Sequence, residues 1–150
     1  MAQTKNILTS LHGKLIGLAK DGKLVIAGFT GRRQNDGGAV FGVQGAPGTL
    51  DATGTLTAAL LQAGIVTSST AAAVVATLDT GTAMDTAMGA FMNIGDAFDW
   101  VAINTGAANA FTVTAAATHT IVGSGVVALG TSATFRTRKT AANTYVTYRR

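Results

Sequence analysis

The side chains of this 150-residue chain that could do chemistry are two histidines, seven aspartates and eleven Lys/Arg, with no cysteine and no glutamate among them. His12 and His119 lie far apart with no carboxylate or thiol at ligand spacing, so a structural or solvent-facing role is the simpler account and no metal site is expected. The lack of cysteine removes disulfides and thiolate metal sites and leaves the redox compartment open. Gly17 to Lys23 matches the first seven positions of a phosphate-binding P-loop, but Leu24 stands where a Ser/Thr must hold Mg²⁺. Gly123-Ser124-Gly125 lacks the G-x-S-x-G frame of a nucleophile elbow. Members of a catalytic triad need not be neighbours in sequence, yet no residue recommends itself. A non-enzymatic protein without a cofactor is therefore expected.

Asp96 and Asp99 flank Ala97-Phe98 at the start of a strand. They could bind Ca²⁺ with help from backbone carbonyls, although Asp at a turn is the commoner situation. Arg136, Arg138, Arg149 and Arg150 lie close to Tyr145 and Tyr148, a combination that would suit nucleic acid if bases stacked on the rings. Arg136 and Arg138, however, alternate with Thr137 along one strand face. A charged sheet face meeting acids of a neighbouring subunit explains them better, and no nucleic-acid partner is expected.

The net charge of +4 is unevenly spread. Residues 1–33 hold Lys5, Lys14, Lys20, Lys23, Arg32 and Arg33 against Asp21 alone, and residues 34–135 hold six Asp and no Lys or Arg. Arg136, Arg138, Lys139, Arg149 and Arg150 close the chain. Two basic ends bracketing a neutral-to-acidic middle suggest contact with an acidic surface, with solubility as the plainer alternative. The candidate contact residues are Lys14, Lys20, Lys23, Arg32, Arg33, Arg136, Arg138, Arg149 and Arg150.

These residues need a scaffold, and the composition constrains it. The length suits one globular body plus attachments. With 47% hydrophobic but only 6% aromatic residues, the core is expected to consist of small side chains. Such a core gains little at roughly 25 cal/mol per Å² of buried apolar surface, which points to completion by neighbouring copies. No apolar run reaches the roughly 18 residues of a membrane span. No secretory h-region follows Lys5.

Lys14–Ala19 and Lys23–Ala27, separated by Asp21-Gly22, predict a β-hairpin. The glycine-rich stretch 28–54 reads as an extended arm or linker, with a short strand at 40–43. Thr57 to Gly64 predicts a short Thr-capped helix, 72–78 a strand, and 82–92 an amphipathic helix with Met84, Met88, Phe91 and Met92 on one face. In the latter, Thr82 and Asp85 resemble a capping box. Short strands then follow at 98–103, 110–115, 119–122, 126–129, 133–138 and 144–148, with turn residues between them. That rhythm predicts an all-β fold with one or two short helices. Its body, residues 55–150, would be an antiparallel β-sandwich or jelly roll, preceded by a hairpin and arm at 1–54.

The order of motifs across residues 56–150 resembles small virion proteins of tailed bacteriophages, in particular capsid-decoration (cement) proteins. Leu56 to Ile65 is similar to the short helix that opens such modules, and Thr77 to Ala83 to the link into their second helix. Ile94 to Phe98 with Ile103-Asn104 resembles their first body strand. Phe111 to Thr114, Thr120 to Gly123 and Ser132 to Arg136 continue the order, and Tyr148-Arg149 resembles the usual ending. The resemblance implies a β-sandwich, a homotrimer, and attachment to the major capsid protein on the outer surface of a head assembled in the host cytoplasm. It implies no catalytic residues. The glycine-rich stretch lies outside it. Two alternatives remain at this level. One is a tail or head-fibre module that adsorbs to host glycans through exposed Trp100, Tyr145 and Tyr148; the other is a hydrolase grafted on a sandwich, which would need acids and a His clustered in a pocket.

Overall fold

The computed structural model of the chain describes the backbone at residues 8–11, 14–18, 24–26, 32–34 and 40–42, and backbone with side chains over residues 44–150. The chain divides into two compact units, Met1–Val43 and Gln44–Arg150.

In the first unit β1 (Leu8–Leu11), β2 (Lys14–Leu18) and β3 (Leu24–Ile26) form a three-stranded sheet in that order. The hairpin expected around Asp21-Gly22 is present as the antiparallel pairing of β2 with β3, Ile16 opposite Ile26 and Leu18 opposite Leu24. Gly17 lies within this pairing, opposite Val25, rather than in a strand-to-helix loop of the P-loop kind. A second pair joins β4 (Arg32–Gln34) to β5 (Val40–Gly42), so part of the stretch read as an arm is a paired ribbon.

The second unit contains β6 (Gly48–Thr49), β7 (Gly54–Leu56), α1 (Ala58–Gln62), β8 (Ile65–Ser68), β9 (Val74–Leu78), α2 (Gly81–Met88) and β10 (Ala97–Asn104). β11 (Phe111–Thr114), β12 (His119–Val122), β13 (Val126–Val127), β14 (Ser132–Ala141) and β15 (Thr144–Arg149) complete it. One sheet has the order β12-β15-β14-β10-β8-β6 and the other β13-β11-β9-β7. The fold is mainly β, as expected, but both sheets are mixed rather than antiparallel. From β6 to β11 the chain alternates between the sheets, so each strand's neighbour within its own sheet is the strand two places away. These neighbours run the same way: β6 with β8, β8 with β10, β7 with β9 and β9 with β11. Antiparallel pairing sets in with β13 on β11, β14 on β10 and the β14–β15 hairpin. Turn signals locate strands in a sequence but do not say which sheet each strand joins.

The strand register explains the burial. Val66, Ala102 and Ala133 are paired neighbours and all are buried, with Gly48 completing the row. Gly48 faces α1 so closely that a Cβ there would lie 2.4 Å from Leu60 Cδ2. The opposite sheet contributes Leu56, Val74, Ala76, Leu78, Phe111, Val113 and Val127 to the same cluster. The expectation of a core made only of small side chains is corrected here: Trp100, Tyr145 and Phe135 are its largest members, each at most 1% exposed. Trp100 stacks on Phe135 with centroids 4.6 Å apart. A few aromatics placed centrally do the work that composition alone spreads evenly over the chain.

Helix α1 is capped by Thr57, whose Oγ1 accepts from Leu60 N, and it buries Ala58 and Leu61. Helix α2 is capped by Thr80, not Thr82; Thr80 Oγ1 accepts from Ala83 N. It ends at Gly89, so Met84 and Met88 are buried whereas Phe91 falls beyond the helix and is 71% exposed. The start of α2 lies against the β14–β15 turn, where a Cβ on Gly81 would come within 2.0 Å of the Asn143 carbonyl oxygen.

Candidate functional site

The titratable side chains of the body fall into an interior set and a surface set. His119 begins the interior set. It lies on β12 and is fully buried, with Nδ1 2.8 Å from the Asp79 carbonyl oxygen and Nε2 2.9 Å from Thr147 Oγ1. Thr147 Oγ1 is 2.8 Å from Thr137 Oγ1, and Trp100 Nε1 donates to Thr137 Oγ1 at 3.0 Å. The direction of this chain follows from its two ends, because the indole N–H can only donate and a carbonyl can only accept. His119 therefore carries its proton on Nδ1 and accepts at Nε2 from the Thr147 hydroxyl. Thr147 in turn accepts from Thr137. One directional relay crosses four adjacent strands, β10, β14, β15 and β12, and ends on the link between β9 and α2.

A second proton on His119 would force Nε2 to donate, reverse both hydroxyls and leave the Thr137 proton without an acceptor. Burial pushes the His119 pKa down, outweighing the opposing effect of Asp79. The unfolded chain thus takes up a proton near pH 6.5 that the folded chain refuses. The stability tied to neutral His119 is complete above that pH and is lost as pH falls toward the lowered folded value. Urea titrations between pH 7.5 and 5 should show this decline in the wild type and a flatter profile in His119→Asn; parallel profiles would refute the relay.

Asp85, on α2, joins the interior set beside this relay. Its carboxylate accepts from Lys139 Nζ at 2.7 Å, from Tyr145 Oη at 2.5 Å and from Asn143 N at 2.7 Å. Lys139, with only 9% of its side chain exposed, also reaches the Met92 carbonyl. The Lys139 hydrogen bond, followed by those from Tyr145 and Asn143, lowers the Asp85 pKa to about 2, and burial with the Asp85 contact raises that of Tyr145. Asp85 is thus a tie between helix and sheet, not the capping-box residue expected from the sequence. The period of two along β14 could have exposed the pattern: Phe135, Thr137 and Lys139 share the inward face, and a lysine there requires a partner.

On the surface, Arg136 binds Asp99 through both Nε and a terminal nitrogen, at 2.8 and 2.7 Å, and Arg150 reaches the same carboxylate at 3.2 Å. The Asp99 pKa is lowered chiefly by the Arg136 hydrogen bonds. Arg149 lies over the Phe135 ring and donates to the Val126 carbonyl at 2.9 Å, which ties β15 to the other sheet. Of the four terminal arginines proposed as contacts, Arg136 and Arg150 share Asp99, whereas Arg138 and Arg149 have no carboxylate partner among the described residues. Lys14 lies on β2 and Arg32 and Arg33 on β4, while Lys20, Lys23 and His12 lie outside the described residues.

Asp96, considered above for Ca²⁺, accepts from Asn93 N at 2.7 Å within its own turn, and Asp99 is taken up by the two arginines. Ser124 Oγ accepts from Val126 N, a turn bond. The exposed aromatic face required for glycan adsorption is not formed by the residues named for it: Trp100 and Tyr145 are buried and Tyr148 is half-buried. Comparison with protein-family models, with curated proteins and with solved structures finds no match to this chain.

Proposed function

We propose that this chain is a non-enzymatic structural protein of a virion. In this reading it is of the tailed-phage capsid-decoration type and binds the outer capsid surface as a homotrimer, stabilising a head assembled in the host cytoplasm. The body is read as a β-sandwich, because its strands alternate between two sheets whose inner faces feed one cluster.

The observation that carries the reading is the partition of charge between the two units. Gln44–Arg150 holds five Lys/Arg and five Asp, whereas Met1–Val43 holds six Lys/Arg against two Asp and so accounts for the whole +4. A neutral body and a basic N-terminal unit suit a protein that meets an acidic shell through the latter. Three such units per trimer act at high effective concentration once one is bound, so weak contacts sum to firm attachment. The interior Asp85 and His119 support a structural role as well, since each is engaged in joining strands and helices.

The test is sedimentation of the full chain with heads assembled from the major capsid protein encoded by the same virus. Binding is expected, and deleting residues 1–33 should abolish it. A truncated chain that binds with unchanged affinity would overturn the role of the basic unit, and failure of the full chain to bind would overturn the decoration reading.

A further inference from the structure

We infer that the turn following α2, residues 89–96, is a two-fold contact between two copies of this chain. Phe91 and Ile94 of both copies pack at its centre, and Arg138 of each copy meets Asp96 of the other. The contact does not depend on the decoration reading, since it involves the neutral body and needs no shell; between trimers it would join one to the next.

Phe91 and Ile94 are 71% and 65% exposed, the two most exposed large apolar side chains among the described residues. The turn that carries them is fixed at both ends. Phe91 N and Met92 N both donate to the Met88 carbonyl, and Met92 packs against the core. Asn93 N donates to Asp96 Oδ2, Gly95 N to the Lys139 carbonyl and Lys139 N to the Asp96 carbonyl. Gly95 holds φ at 100°, a conformation other residues rarely adopt. Little ordering therefore remains to be done when the turn is covered.

The same turn gathers the two charges that the body leaves unmet among the described residues. Arg136 and Arg150 bind Asp99, and Arg149 donates to the Val126 carbonyl, but Arg138 makes no hydrogen bond to any described residue. Its guanidinium lies 4.0 Å from where a Cβ on Gly95 would stand. Asp96 accepts from Asn93 through Oδ2 alone, so Oδ1 has no donor among the described residues. In the other four acids of the body both oxygens are bonded. Asp51 is held by Ser69, Asp79 by the Ala58 and Thr80 amides, Asp85 by Lys139, Tyr145 and Asn143, and Asp99 by two arginines. Arg138 and Asp96 do not pair with each other within one copy.

These charges choose the occupant. In a two-fold contact each residue meets its counterpart's neighbour reciprocally, so a patch with one cation and one anion beside an apolar centre is its own complement. An acidic surface would answer Arg138 but confront Asp96 with like charge, and a basic surface would do the reverse. Residues 44–150 hold five Lys/Arg and five Asp, so two bodies approach without net repulsion.

The test is sedimentation velocity of the full-length chain over a range of concentrations, with melting temperatures measured alongside. Wild type is compared with Phe91→Ser/Ile94→Ser, Arg138→Asp, Asp96→Lys, an equal mixture of the last two, and Val75→Ser/Leu129→Ser as a control for exposed apolar groups elsewhere. Wild type and the control should double the mass of their smallest assembly as concentration rises. The dissociation constant of that step should rise at least about tenfold in Phe91→Ser/Ile94→Ser and in Arg138→Asp, with melting temperatures unchanged. Arg138→Asp and Asp96→Lys should each fail to double alone, whereas their mixture, in which two acids face two cations, should double again. The first two variants leave Asp96 and its bond to Asn93 intact, so they decide the contact even where Asp96→Lys does not fold. Wild type that does not double, doubling that survives Phe91→Ser/Ile94→Ser, or folded Arg138→Asp and Asp96→Lys chains that do not pair when mixed would each overturn the inference. So would an unchanged mass in Phe91→Ser/Ile94→Ser together with lost binding to capsid heads or to phosphatidylglycerol vesicles, which would assign the turn to a shell or a membrane. Failure of wild type to bind heads leaves the contact between copies untouched.

Discussion

Asp85→Ala is expected to be among the most destabilising single substitutions in the body, costing about 3–5 kcal/mol. The carboxylate is the common acceptor for Lys139, Tyr145 and the Asn143 amide. Its removal leaves an ammonium group with only 9% of its side chain exposed and no opposing charge. Most of the loss comes from that stranded lysine rather than from the ion pair itself, because a desolvated charge without a partner costs more than the pair contributes. The accompanying expectation is that Asp85→Leu combined with Lys139→Met recovers a substantial part of the loss. Urea denaturation of the single and double variants decides the matter, and a double variant as unstable as Asp85→Ala would show that the hydrogen bonds to Tyr145 and Asn143 dominate. The pH dependence has a definite sign. With a folded pKa of about 2 against an ordinary value of 3.8, the contribution of ionised Asp85 is complete above the latter and is lost as pH falls through the former.

Trp100→Ala should cost a similar amount, about 3–5 kcal/mol, for a different reason. The indole is 1% exposed and stacks on Phe135, so truncation leaves a cavity at the centre of the larger sheet and removes the first donor of the relay to His119. Trp100→Phe separates these effects. It keeps most of the ring volume but loses the N–H, and should cost about 1 kcal/mol or somewhat more. Equal losses in the two variants, measured by thermal or urea unfolding, would mean that the N–H bond and not the packing carries the contribution. In either variant the pH profile between 7.5 and 5 should change, because the Trp100 donor and the Asp79 carbonyl together set the polarity of the Thr137–Thr147–His119 chain.

Much of the local structure was legible. Thr57 before Ala58-Ala59-Leu60-Leu61 and Gly64 after it mark α1, where Thr57 caps the helix and Gly64 adopts a φ of 79°. Phe111-Thr112-Val113-Thr114 alternates, and the same alternation appears in burial. Harder cases were those in which glycine dominated or tertiary contacts did. Gly48, Thr49 and Gly54 read as arm because glycine carries no side-chain pattern, yet Gly48–Thr49 and Gly54–Leu56 form edge strands paired to Val66-Thr67 and Ala76-Thr77-Leu78. Phe91 continued the helical spacing of Met84 and Met88, but the helix stops at Gly89, and the spacing no longer determined its face.

Of the proposed contact residues, the terminal arginines show the same division. Sequence identified a basic C-terminus, but only the register of β14 against β10 puts Arg136 opposite Asp99, and only the meeting of β15 with the second sheet brings Arg149 to the Val126 carbonyl. The sequence by itself determined the strand-rich character, the two short helices, the hairpin of the first unit and the concentration of net charge before residue 44, because these depend on local periodicity, capping and composition. The tertiary structure alone decided the parallel pairings, the alternation between sheets, the relay from Trp100 to His119 and the Asp85–Lys139 tie. Each of these joins residues on separate elements at least ten positions apart, and no local pattern specifies which partner a strand or a buried charge will meet.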